Sequence, residues 1–261
     1  MPIEAPNLPR LSTESMRELD YAVMGHAFAA HRELGRMCDE PVYQADLAAR
    51  LVAAGIPALR EEAIRVTHRD FVKRYEIDLI AGGQCIYELK AVDKLLGEHE
   101  AQLLNYLLLT NTAHGKLINF RPGKVESRFV NAPINDVQRR QFRLVYDTLS
   151  ADATLLRDLL VGLIEDWGMF LDLALYTQAL THFLGGEDKV IQMVPMTRGR
   201  IPLGHQRLHL FSEDAAFRVT GFKDELAAQE SHLRRLLELT PLKAIHWINL
   251  CRDEVRLVTV R

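Results

Sequence analysis

A chain of 261 residues, 48% hydrophobic and 26% charged, carries enough apolar material for one large domain or two small ones, each with its own core. Its net charge of -3 and pI near 6.4 exclude a basic coat over the whole molecule, so any contact with nucleic acid has to come from a local patch. Three widely spaced cysteines, Cys38, Cys85 and Cys251, form no CxxC pair, which argues against a disulfide framework or zinc knuckle and predicts a reducing, cytoplasmic setting.

In chain order, MPIEAPNLPRLSTES has neither a basic nor an apolar leader region, so no export is expected. Ser12 or Thr13 starts a helix that runs to about Leu34, with Leu19, Val23, Ala27 and Ala30 on one face, and Gly35 ends it. DEPVYQADLAARLVAAG is a second helix, with Asp39 or Glu40 at its start and Gly55 as its stop. EEAIRVTH, VKRYEIDLI and CIYELKAV are rich in Ile, Val and Tyr and predict three strands. GEHEAQLLNYLLLT is a helix with a strongly apolar face, followed by strands at GKLINF and VESRFV. Helices before a small sheet, with a helix between strands, indicate an α/β or α+β domain over residues 1–131.

Residues 132–154 read as a connector with some helix, after which the order begins again over 155–261. Leu155 to Phe183 is one long helical stretch or two helices, and its most apolar part carries Asp172, too polar to span a bilayer. Strands follow at KVIQMVPM, RLHLF and AFRVTGF, then a helix from Lys223 to Leu239, then strands at AIHWINL and EVRLVTV. EAQLLNYLLLTNTAHGKLINFRPGKVESRFV and ESHLRRLLELTPLKAIHWINLCRDEVRLVTV align without a gap and share nine identities in 31 positions, Asn119/Asn249 among them. Asp172 to Tyr176 falls against Asp39 to Tyr43, so Leu173 stands where Glu40 does. The alignment also sets His209 in the place of Asp78, and Thr220 and Phe222 roughly in those of Glu88 and Lys90. The second half is therefore expected to keep the fold and lose the acids.

IDLIAGGQCIYELK concentrates the chemistry. Ala81-Gly82-Gly83-Gln84 is turn chemistry between two β-favouring runs, and a loop over Gly82 to Gln84 sets Ala81 opposite Cys85 and Asp78 opposite Glu88. Glu88 and Lys90 share that face, while Ile77, Leu79, Tyr87 and Leu89 form the other. Opposed carboxylates repel unless something sits between them, and Mg²⁺ or Mn²⁺ would, as hard cations that take oxygen ligands. Lys90 could then orient the attacking water or neutralise charge on a phosphate. Taken alone, this spacing favours a solvated hairpin bearing a Glu-Lys pair. Gln102 and Tyr106, four apart on the next helix, and Glu40 at a helix start add further candidates. Arg198, Arg200 and Arg207, with Arg121, Lys124, Arg128, Arg139, Arg140 and Arg143, are candidates for a phosphate-tracking surface.

ELGRMCDEPVYQADLAARL carries Gly35, Glu40 and Tyr43 in the pattern of the bacterial GxxExxY proteins, and YEIDLI, IYELKAV and HEAQLLNYL follow in that family's order. The resemblance spans about residues 18–131; Pro41 and Cys38-Asp39 depart from the small and apolar residues usual around the helix acid. It implies membership of the PD-(D/E)xK nuclease superfamily and a restriction-endonuclease-like mixed sheet flanked by helices. It further implies Asp78, Glu88, Lys90 and Glu40 as catalytic residues, with Asp78, Glu88 and the Leu89 backbone carbonyl as ligands of Mg²⁺ or Mn²⁺. Gln102 and Tyr106 resemble the QxxxY element of the RecB-like branch and, with Tyr43, would support the site. The implied activity is metal-dependent phosphodiester hydrolysis of nucleic acid, DNA being the expected partner, with no membrane contact. The second half would form an intramolecular pseudodimer with the first, or the chain a homo-oligomer. The alternative is a non-catalytic nucleic-acid-binding or scaffold protein that retains the nuclease fold.

Overall fold

The structure, a computed structural model, describes residues 1–148, 150 and 153–261. Residues 1–67 and 72–138 form one compact unit, and residues 68–71 with 139–261 form a second. Among the described residues no helix is long and apolar enough to cross a membrane.

In the first unit the Ser12 hydroxyl accepts the Ser15 N–H at 3.2 Å and starts α1 (Thr13–Leu34). Gly35 ends α1 at φ 72°, a conformation that costs glycine little and other residues more. Asp39 then precedes α2 (Glu40–Ala53), with Pro41 in its first turn, where a missing N–H costs nothing. The sheet comprises β1 (Ile3–Glu4), β2 (Ala58–His68), β3 (Phe71–Ala81), β4 (Cys85–Lys90), β5 (His114–Asn119) and β6 (Glu126–Asn131), in that spatial order. β4 pairs antiparallel with β3 and parallel with β5, and α3 (Gly97–Leu109) is the crossover the parallel pair requires. Tyr43, Leu47 and Leu51 of α2 join Val23 and Ala27 of α1 in a core with Tyr87, Leu89 and Phe120, and the Tyr43 ring stacks on Phe120 at 4.5 Å.

The second unit follows α4 (Asp136–Arg139) with β7 (Arg143–Thr148), α5 (Thr154–Trp167), α6 (Leu173–Phe183) and α7 (Glu187–Val190). Then come β8 (Ile191–Arg198), β9 (Ile201–Ser212), β10 (Ala215–Thr220), α8 (Leu226–Glu238), β11 (Ala244–Cys251) and β12 (Glu254–Val260). The sheet order is β7-β12-β11-β10-β9-β8, with β10 and β11 parallel across α8. From α5 to β12 the order of helices and strands matches α1 to β6 with the short α7 added, and the antiparallel, parallel, antiparallel pairings of β9 to β12 match those of β3 to β6. The expected mixed α/β class holds, with two mixed sheets flanked by helices as in a restriction-endonuclease-like fold. The stretch from Leu155 to Phe183 is two helices, broken at Gly168.

Two sequence readings need correction. The connector contains β7, which pairs with the distant β12; positions 149, 151 and 152 of it lie outside the described residues. The second sheet's alignment also shifts. His209 pairs with Phe217, as Leu79 pairs with Tyr87, because a bulge between Ala215 and Ala216 absorbs one residue of β9. Leu208, not His209, therefore stands at the Asp78 position. Thr220 pairs with Asn249 as Lys90 pairs with Asn119, so Thr220 replaces Lys90 and Arg218 replaces Glu88.

The shared asparagine explains why this register persists. The Asn119 Oδ1 accepts the Val92 N–H at 3.1 Å and its Nδ2 donates to the Val92 carbonyl at 2.7 Å. Asn249 does the same to Phe222, at 2.8 and 2.9 Å. In each unit the side chain ties down the chain as it leaves the central strand. Tyr43 and Tyr176 repeat a second bond, each hydroxyl donating to the glycine carbonyl, Gly35 or Gly168, that ends the preceding helix. Asn119→Ala strands the backbone groups of Val92 and is expected to cost about 2–3 kcal/mol in urea unfolding; a loss under about 0.5 kcal/mol, the level of an ordinary surface substitution, would show the bracket to be dispensable.

Candidate active site

The site grows from the β3–β4 hairpin. Gly82 and Gly83 both sit at φ 63°, which makes the tight turn, and the ladder pairs Ala81 with Cys85, Ile80 with Ile86 and Leu79 with Tyr87. It ends there, while β4 runs on beside β5 to Lys90. In the opening between β3 and β4 the Leu89 N–H donates to Asp78 Oδ2 at 2.8 Å. The Lys90 carbonyl accepts from Phe120 on the β5 side, so alternation along the strand turns the Leu89 carbonyl toward the opening.

Three carboxylates surround one ammonium here. Lys90 Nζ lies 2.7 Å from Glu88 Oε1, 3.6 Å from Glu40 Oε1 and 3.8 Å from Asp78 Oδ2. Glu88 is 0% exposed, which overturns the solvated-hairpin reading: both faces of β4 are covered. Burial, then the charge of Asp78, pushes the Glu88 carboxyl up to about 8. Burial likewise raises Asp78 and Glu40, against the pull of Lys90. For Lys90 burial opposes the charged form, but Glu88, Asp78 and Glu40 together outweigh it and raise its pKa.

Gln102 Nε2 donates to the Tyr106 hydroxyl at 3.0 Å, and Tyr106 is buried. Its pKa is raised by burial and by the charges of Glu88 and Asp78, though the Gln102 hydrogen bond opposes the shift. Tyr43 stands apart from the acids; by bonding Gly35 it fixes the loop from which Glu40 emerges. Gln44, which sequence reasoning passed over, is buried, and its amide favours the charged form of Asp78. Its signal was helical spacing, one turn after Glu40 on the same face.

A divalent cation fits these residues. Glu88 Oε2 is buried and, among the described residues, has no hydrogen-bond partner, while Glu88 and Asp78 bring two carboxylates to one ammonium. The donors are all oxygen, as hard cations require. Among the described residues no three His, Cys, Asp or Glu side chains converge as a metal cage. Two carboxylates and the Leu89 carbonyl remain, a set that leaves positions for water and substrate.

Most of the arginines considered for a phosphate-tracking surface have structural partners. Arg121 donates to the carbonyls of Ala91, Arg36 and Cys38, Arg128 pairs with Glu100 at 2.6 Å, and Arg143 pairs with Glu254 at 2.5 Å. Arg139 and Arg140 donate to the carbonyls of Trp167 and Glu165.

No curated protein and no solved structure gives a significant match to the chain. Residues 17–132, the segment holding every residue of this site, match the family model of the PD-(D/E)XK nuclease superfamily and are thus similar to nucleases that typically use divalent metals and act on nucleic acid.

Proposed function

We propose that the first unit is a divalent-metal-dependent nuclease of the GxxExxY type, hydrolysing phosphodiester bonds in DNA in the cytoplasm. The observation that carries the reading is the buried, half-satisfied Glu88 carboxylate facing Asp78 across the open end of the hairpin, with Lys90 between the acids. Asp78, Glu88 and the Leu89 carbonyl would hold Mg²⁺ or Mn²⁺. When bound, the cation supplies Lewis-acid polarisation of a phosphoryl oxygen.

The other steps belong to the chain itself. Lys90, held charged by three carboxylates, donates hydrogen bonds and so orients a water or steadies the phosphate charge. Glu40 is the most exposed of the acids, its side chain 32% accessible, and is placed to exchange a proton with solvent. Gln102 donates to Tyr106, which leaves the tyrosine proton free for a partner in the site, the role proposed for a QxxxY pair. In the domain division proposed here, residues 1–131 are the nuclease and residues 155–261 its degenerate copy.

The test is cleavage of single- and double-stranded DNA and RNA with Mg²⁺ or Mn²⁺, wild type against Lys90→Ala. Metal-dependent cleavage reduced at least about 100-fold in the variant, with its fold verified by circular dichroism, is the expected result. Absence of cleavage by folded, metal-binding wild type would overturn it in favour of a binding or scaffold protein.

A further inference from the structure

The second unit holds a cavity of about 270 Å³ where the first holds its acids. The caps of α2 and α6 set the helix offset (Asp172 minus Asp39, 133) and the paired asparagines set the strand offset (Asn249 minus Asn119, 130). With those offsets Thr177 stands for Gln44, Leu208 for Asp78, Arg218 for Glu88 and Leu236 for Tyr106. All four line the cavity. At the equivalent position the charge is inverted: a buried carboxylate of the first unit is a guanidinium in the second.

Arg207 lines the same cavity beside Arg218. Both are exposed, and among the described residues no carboxylate lies within ion-pair distance of either. Glu187 acts on His209 at the cavity wall but pairs with neither arginine. Arg121, Arg128, Arg139, Arg140 and Arg143 are held by partners within the fold, whereas the two that line this cavity have no carboxylate partner among the described residues. Two cations without a counter-charge, in a cleft otherwise lined largely by apolar side chains, repel a divalent metal. Planar guanidinium forks instead match the oxygens of a phosphate, singly or in pairs.

We propose that this cavity of the second unit binds a phosphodiester group of a nucleic-acid strand, as a metal-free anion site that replaces the lost catalytic centre. The proposal stands whether or not the first unit cleaves, because it concerns binding alone. It is tested with the full chain in EDTA, by fluorescence anisotropy of labelled short single-stranded and duplex DNA across a salt series. Arg207→Ala/Arg218→Ala is expected to weaken binding about tenfold and to lower the slope of log K against log salt by about 1.4 to 1.8, as loss of two phosphate contacts does. Arg207→Lys/Arg218→Lys keeps the charges and should retain the slope with intermediate affinity; it carries the test if the alanine variant fails to fold. Unchanged affinity and slope, or no DNA binding by wild type, overturns the proposal. So does thermal stabilisation by inorganic phosphate that the alanine variant loses while DNA affinity stays the same, which would mark a small-anion site.

Discussion

Asp78→Asn is expected to lower cleavage by about 100- to 1000-fold, the scale on which a transition-state charge stabiliser acts, and to abolish thermal stabilisation by Mg²⁺ or Mn²⁺. The substitution keeps the shape of the side chain and an oxygen able to accept the Leu89 N–H, so the hairpin survives. It removes one of the two opposed charges that raise the Glu88 carboxyl. The variant should therefore be at least as stable as wild type in EDTA while gaining nothing from metal. For wild type, saturation to 100 times Kd adds about 2.7 kcal/mol, which differential scanning calorimetry resolves. Equal metal-induced shifts in both proteins would show that Asp78 holds no cation.

The second large effect is on the pH dependence of the metal-free protein. Glu88 is raised from an ordinary 4.5 to about 8, so the folded state binds its proton more tightly than the unfolded chain does. The stability this contributes is complete below about pH 4.5 and is lost as pH rises through about 8. Asp78 and Glu40 are raised as well and act in the same direction. In EDTA the Tm should fall by roughly 5 °C or more between pH 5 and pH 9. Glu88→Gln, which carries its hydrogens permanently, should flatten most of that fall. Saturating Mg²⁺ should oppose it, since a cation competes with the proton for the same oxygens. A wild-type profile that is level in EDTA, or that the glutamine variant leaves intact, would mean that Glu88 is not held protonated.

The hairpin was legible because its determinants are local. Two glycines at positive φ mark the turn, and the turn sets the register that brings Asp78 toward Glu88. The helices were legible from their caps and apolar spacing, as Ser12 and Gly35 show for α1. What depends on distant partners was not. Residues 143–148 carry no strong strand signal and become β7 because β12 offers them an edge over 100 residues later. The burial of Glu88 was hidden for the same reason. Alternation assigns a residue to a face, but only the packed fold reveals that this face is covered. Gln44 escaped notice because an amide on a helix says nothing until the carboxylate whose charge it favours is in view.

The bulge in β9 bears on any attempt to restore the missing chemistry to the second sheet. Counting back from the turn would graft an aspartate at His209, into the position of core Leu79, where it would face the wrong side of the sheet. The pairing instead prescribes Leu208→Asp, Arg218→Glu and Thr220→Lys, with Leu173→Glu on α6. One extra residue in a strand thus decides whether a transplanted triad shares one face of the sheet or is divided between the two.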